Sequence, residues 1–198
     1  MTAKGKLKTI LIFAVIAALL FAAFAGSYRT VMKLSYPHKY EEFVEKYSAE
    51  FGLDSALLYA VIRTESSFDP SAVSSADAVG LTQITPETFE WLRMKLGETQ
   101  GELSLLDPET SIKYGAFFLS YLLDEFGETP VALAAYHAGR GRVNSWLKDE
   151  NISPDGVNLK DIPIPETAHY VRKVMRAVNI YNSCLLYTSP SPRDRTRS

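Results

Sequence analysis

Apolar and polar residues recur along most of this chain at spacings of three and four. From His38 to Phe51, Tyr40, Phe43, Val44, Tyr47 and Phe51 fall on one helical face that closes at Gly52. Asp54 can cap a second helix with the stripe Leu57, Leu58, Val61 and Ile62, which places Glu65 one turn after Val61 beside apolar side chains. Three further helices are announced by a capping residue before proline, at Thr85-Pro86, Asp107-Pro108 and Thr129-Pro130. They close near Gly97, Gly127 and Gly139. A last helix spans about Glu166 to Tyr181, with Tyr170, Val171, Val174, Val178 and Tyr181 on one face. Residues 66–83 are rich in Ser, Asp, Pro and Gly without a sustained period, so they predict a surface loop near the end of the second helix. No segment alternates as a strand should, and the pattern predicts an all-α domain of six or seven helices.

The two ends differ from this body. Residues 9–25 form an uncharged apolar run behind Lys4, Lys6 and Lys8, which predicts one N-terminal transmembrane helix with its basic end in the cytoplasm. An uncleaved anchor is favoured, although Ala23-Phe24-Ala25 also fits a signal cleavage site. The expected organisation is a basic end (1–8), a signal anchor (9–25), a linker (26–37), a helical domain (38–182) and a tail (183–198). From Cys184 onward the tail has no helical period and follows a helix without a capping signal, so it is expected to be non-native read-through.

Charge and composition narrow the chemistry. Lys4, Lys6 and Lys8 give +3 and residues 193–198 give +2, so a net charge of −2 leaves −7 on the region between. An acidic body is a poor partner for phosphate backbones, and no nucleic acid is expected. The single cysteine, Cys184, excludes a disulfide framework within the domain, and the scattered histidines His38, His137 and His169 suggest no metal site. No cofactor is expected.

The sequence from Glu65 reads Glu-Ser-Ser-Phe-Asp-Pro, then Ser74-Ser75-Ala76-Asp77-Ala78, Gly80-Leu81-Thr82-Gln83-Ile84, and later Ala134-Ala135-Tyr136-His137-Ala138-Gly139 and Glu166-Thr-Ala-His-Tyr-Val. These motifs, in this order, resemble those of the lytic transglycosylase domain with the goose-type-lysozyme-like fold, over residues 40–182. A carboxyl group beside apolar side chains has its ionised form disfavoured, which suits Glu65 to donate a proton near neutral pH.

The resemblance implies a lysozyme-like helical domain that cuts peptidoglycan glycan strands. Glu65 would be the catalytic acid/base. Ser74, Gln83, Tyr136 and His137 would line the saccharide cleft, and Glu166 and Tyr170 would close its floor and help place the catalytic carboxyl. The implied reaction cleaves the β-1,4 bond between N-acetylmuramic acid and N-acetylglucosamine and forms 1,6-anhydro-N-acetylmuramic acid. With the anchor, it implies a bacterial, single-pass protein of the cytoplasmic membrane with its domain outside, expected to be a monomer. Four positions depart from the family's pattern: Asp77 where Gly is common, Thr82 where Met is usual, His137 where Asn is usual and Ala168 where Arg often stands. Thr82 and His137 are expected to alter subsite contacts, since a hydroxyl and an imidazole bond differently from a thioether and an amide. Two alternatives stay open: a hydrolytic muramidase with Asp69 or Asp77 as second carboxylate, and a noncatalytic glycan-binding scaffold.

Overall fold

The computed structural model describes residues 3–98 and 100–188, which divide after Pro37 into two units. The first is one helix, α1 (Ala3–Ser35), in which Val15–Ser35 is long and apolar enough to cross a membrane by length and composition. Residues 26–35, which the sequence reads as linker, continue this helix, and it stops just before Tyr36-Pro37. The physical reason is that no proline occurs between Gly26 and Ser35, whereas Pro37 disfavours helical backbone at the residue before it.

The second unit is the helical domain: α2 (Glu41–Glu50), α3 (Ser55–Ser66), α4 (Pro86–Leu96), α5 (Pro108–Phe126), α6 (Thr129–Ala138), α7 (Arg140–Trp146) and α8 (Pro165–Thr188). Its caps follow the sequence at three starts. Asp54, Thr85 and Asp107 accept from the amides of Ala56, Thr88 and Thr110. The fourth start differs: Thr129 is already helical, and Glu128 stands at the cap without a side-chain bond. α2 begins at Glu41 because Tyr40 takes a left-handed conformation (φ 58°). α7 is too short to show a period in sequence, yet it buries Val143 and Trp146. α8 runs on through Thr188 and so takes in residues 183–188 of the expected tail, whose remainder, 189–198, lies outside the described residues.

α3 is the central element. Every residue from Ala56 to Ile62 is buried, so this helix is enclosed on all sides, and it packs along α8 and against α2. Tyr59 of α3 stacks on Tyr181 of α8 with ring centroids 5.3 Å apart. α5 packs against α2, α4 and α6, and α6 in turn contacts α7 and α8. The enclosed middle of α3 leaves only its last turn, Arg63 to Ser66, to emerge toward solvent.

Residues 67–85 connect α3 to α4 with only isolated bridges, Val73 to Val79 and Val79 to Ile84, and no strand among the described residues. This segment is not merely a surface loop, as the sequence suggests. Phe68, Leu81, Thr82 and Ile84 are buried, while Val73 and Asp77 face solvent. The buried half is held by polar groups that composition alone does not reveal. Ser66 Oγ donates to the Leu81 carbonyl (2.9 Å), and Thr82 joins Ser111 of α5.

Candidate active site

Glu65 stands in the last turn of α3, partly exposed, where the chain reverses through left-handed Ser67 (φ 53°) and Phe68 (φ 65°). Loss of water around the carboxyl raises its pKa to about 7, against smaller opposing effects from the Tyr170 phenol and the Lys173 ammonium. The carbonyl-rich C-terminal end of α3 also disfavours a carboxylate. Lys173 is steered there by its reach to the Thr64 carbonyl (3.5 Å).

Two tyrosines from other helices face this carboxyl. Tyr170 of α8 is 5% exposed, and its hydroxyl lies close enough to Glu65 to favour the carboxylate, but short of ordinary hydrogen-bond geometry with any partner. Tyr136 of α6 donates to the Thr82 carbonyl at 2.7 Å. Burial, with the Glu65 charge nearby, pushes both phenols well above their usual range, so both stay protonated. The Tyr136 proton is committed to the loop, whereas the Tyr170 proton is available to Glu65 or to a bound molecule.

His137 is exposed and lies over Tyr170, ring centroids 4.6 Å apart. Its Nδ1 is 3.1 Å from the hydroxyl of Thr167, which is 1% exposed. Partial loss of water around the ring, packed on Tyr170, lowers the imidazole pKa, opposed by the charge of Glu166. A neutral ring that accepts from Thr167 at Nδ1 carries its proton on Nε2. Glu166 itself is exposed in the first turn of α8 and acts on His137 rather than among the groups that shift Glu65. Among the described residues Glu166 thus bears on the site through the charge it sets near His137.

The loop residues play different parts. Gln83, left-handed at φ 50°, donates from Nε2 to the carbonyls of Gly80 (2.9 Å) and Ala72 (3.1 Å), so its amide nitrogen braces the loop and its carbonyl oxygen is left to accept. Ser74 Oγ accepts from the amides of Ala76 (3.2 Å) and Ala78 (3.1 Å), which leaves its proton to donate outward. Tyr136, through Thr82, ties this loop to the Glu65 and Tyr170 cluster, while Ser74 sits farther out on the loop with no bond to that cluster.

Thr82 is a correction. It does not present its hydroxyl to a cleft: the side chain is fully buried, donates to the Ser111 carbonyl (2.8 Å) and fits against Gly115, where an added Cβ would lie 2.3 Å from its methyl. The cause is the missing side chain at Gly115, which lets α5 approach the loop. Thr82→Val should therefore cost about 0.5–1.5 kcal/mol of stability, through loss of the hydroxyl's bond to the Ser111 carbonyl, which keeps its place in the α5 ladder. Chemical denaturation would detect it, and any activity of the folded variant should match wild type.

Asp77 takes φ 58°, which explains why glycine suits the position and why Asp is tolerated there. Asp69 accepts from the amide and hydroxyl of Ser71, which hold its carboxyl below the usual range. Both aspartates are exposed; the Asp69 carboxylate is bonded within its turn, whereas Asp77 contributes its backbone amide, which donates to the Ser74 carbonyl. Sequence reading missed Thr167 and Lys173, although the spacing 167, 170, 173 on α8 is a helical i, i+3 row that could have pointed to both. Among the described residues no group of three His, Cys, Asp or Glu could hold a metal ion.

Comparison with known proteins bears on the family and the fold. The family model of the transglycosylase SLT domain matches residues 42–156. The soluble lytic murein transglycosylase of Salmonella typhimurium is 33% identical over 158 residues, 78% of this chain and 24% of the relative. Membrane-bound lytic murein transglycosylase C of Serratia proteamaculans is 30% identical over 169 residues, 73% of this chain and 47% of the relative. The 70 kDa soluble lytic transglycosylase of Escherichia coli superposes with a TM-score of 0.68 at 29% identity, over 83% of this chain and 27% of that structure. The chain thus spans about a quarter of the soluble relatives' length and about half of the membrane-bound one's. By family match, all-α fold and motif order, the chain belongs to the transglycosylase SLT domain family.

Proposed function

We propose that this protein is a peptidoglycan lytic transglycosylase in which Glu65 serves first as acid and then as base. The observation that carries the reading is a single carboxyl group with its pKa raised to about 7, at the exposed end of a buried helix and flanked by two protonated phenols. Two-carboxylate glycosidases pair the acid with a nucleophile or a water-activating base. Here Asp69 is bonded within its own turn, and neither Asp69 nor Asp77 is among the groups that act on the Glu65 carboxyl, which favours chemistry that needs only one.

In that chemistry Glu65 gives its proton to the oxygen linking N-acetylmuramic acid to N-acetylglucosamine. The C1–O bond breaks, and the substrate's acetamido group stabilises the cation at C1. The Glu65 carboxylate then removes the proton from the C6 hydroxyl of the muramic residue, and that oxygen bonds to C1. A 1,6-anhydro ring forms without consuming water, and Glu65 ends protonated as it began. Because the nucleophile belongs to the substrate, positioning supplies much of the rate. Ser74 donates to the sugar, Gln83 accepts through its free carbonyl oxygen, and the neutral His137 donates from Nε2. Tyr136 and Tyr170 form the cleft wall beside the carboxyl, Thr167 orients His137 through Nδ1, and Glu166 adds a negative charge near that ring.

α1 would hold the domain at the cytoplasmic membrane, on its outer side, where glycan strands are accessible. Digestion of purified peptidoglycan with the full-length chain in detergent tests the reading. Released muropeptides should be lighter by one water than hydrolytic products and carry 1,6-anhydro ends. Reducing ends in their place would make the enzyme a muramidase, and no release under any condition would reject catalysis.

A further inference from the structure

Four aromatic rings from three helices form a row of T-shaped and tilted contacts next to the candidate active site. Tyr136 of α6, beside Glu65, meets Phe118 of α5 at 5.0 Å between centroids. Phe118 meets Trp91 of α4 at 6.3 Å, and Trp91 meets Tyr121 of α5 at 5.0 Å. All four are half-buried, so the row keeps part of each ring open to solvent. The two middle rings, Trp91 and Phe118, pack against the core around Phe89, Leu92 and Tyr114, which fixes them in place.

Two cations flank the far end of this row. Lys95 Nζ lies 5.7 Å from the Trp91 ring centre and 5.8 Å from that of Tyr121, and it forms no ion pair among the described residues. Arg140 lies 5.6 Å from the Tyr121 ring while pairing with Glu125. Two cations over half-buried rings stand out on a domain, residues 38–182, in which 13 Lys and Arg face 22 Asp and Glu and leave −9. A neutral, amphipathic sugar chain stacks on aromatic faces, and the stem peptides attached to it bring carboxylates. The charge complementarity and the unbroken continuation from Tyr136 select one occupant.

We infer that the row Tyr136, Phe118, Trp91 and Tyr121, with Lys95 and Arg140, is a remote subsite that holds a long, peptide-bearing glycan strand several sugars away from the bond being cut. This rests on the proposed glycan substrate and adds a length and peptide preference to it. Trp91 is a binding residue there and stands apart from the bond chemistry at Glu65.

The test uses the full-length chain in detergent with Glu65→Gln, so that strands are bound and not cut. Adding Trp91→Ala should weaken binding of long strands at least about tenfold and leave a tetrasaccharide unaffected, while Trp91→Phe should restore most of the loss. Because Trp91 also touches the core, the exposed Lys95→Gln provides a second reading. It should weaken strands that carry stem peptides and leave strands stripped of peptide by an amidase unchanged. Equal loss on tetrasaccharide and long strand, or no loss from either variant, would overturn the subsite while leaving the enzyme reading intact. A parent chain that binds no glycan, beside a wild type that releases no muropeptides, would reject both.

Discussion

Glu65→Gln should lower kcat for muropeptide release by roughly 10²–10⁴-fold while strand binding is retained, since the amide keeps the shape of the carboxyl and loses only its transferable proton. The pH profile supplies a sharper criterion. As the proposed acid, Glu65 must begin protonated, and its pKa is raised to about 7 by loss of water around the carboxyl. kcat/KM should therefore be level below that pH and fall as pH rises through it. Tyr170 and Lys173 both favour the carboxylate, so removing either must raise the pKa further. Tyr170→Phe and Lys173→Met should each move the alkaline limb to higher pH, the reverse of what would follow if these groups served to protonate Glu65. A limb that stays in place in both variants would separate Glu65 from the titration that controls turnover. If Glu65→Gln released anhydro products at the wild-type rate, the carboxyl would have no part in the reaction.

The sequence carried the helices because their signals are local. Apolar spacing sets the faces of α2, α3 and α8, and Asp54, Thr85 and Asp107 cap through their own side chains, so each can be read without knowing its neighbours. α7 leaves no periodic signal because seven residues do not complete two turns, and Thr129 begins α6 and does not cap it, since threonine before proline suits either position. Glu65 was legible for the same local reason: a carboxyl one turn beyond Val61 on an apolar stripe must end near the core.

The loop was legible only in part. Its motif letters identified Ser74 and Gln83, but their use depends on partners that are distant in sequence or invisible to periodicity. Gln83 turns its nitrogen to Ala72 and Gly80, and Ser74 turns its oxygen to two amides of its own turn, so each keeps only half of its bonding capacity for a ligand. Thr82 shows the limit most clearly. As a substitution in a binding motif it suggests altered sugar contacts, yet its environment is decided by Ser111 and Gly115, about thirty residues later on α5. Tyr170 and His137 likewise meet only because α6 packs against α8, a contact that no window of sequence contains.

The largest stability effect is expected at Gly80, where Gly80→Ala should cost on the order of 3–5 kcal/mol. Two terms add there. The backbone is left-handed at φ 78°, which costs a residue with a Cβ roughly 1–2 kcal/mol. The new methyl would also sit 2.0 Å from the Leu105 carbonyl oxygen and 2.9 Å from Ser111 Oγ. A backbone carbonyl cannot swing aside as a side chain can, so the loop must lift away from α5. Lifting it would strain the Gly80 amide bond to Ala72 (2.9 Å), the Gln83 brace on the Gly80 carbonyl and the adjoining Thr82 carbonyl that accepts from Tyr136. Gly97 supplies the control, with a similar φ of 72° and nothing within 4 Å of an added Cβ. Gly97→Ala should show the backbone term alone, about 1–2 kcal/mol, and leave the candidate active site untouched. Thermal unfolding of both variants in the full-length chain, read beside muropeptide release, separates the terms: Gly80→Ala should be the less stable and the only one to lose activity at temperatures where it remains folded. Equal melting temperatures would mean that the close approach of Leu105 does not hold the loop, and that backbone conformation alone makes glycine necessary at that turn.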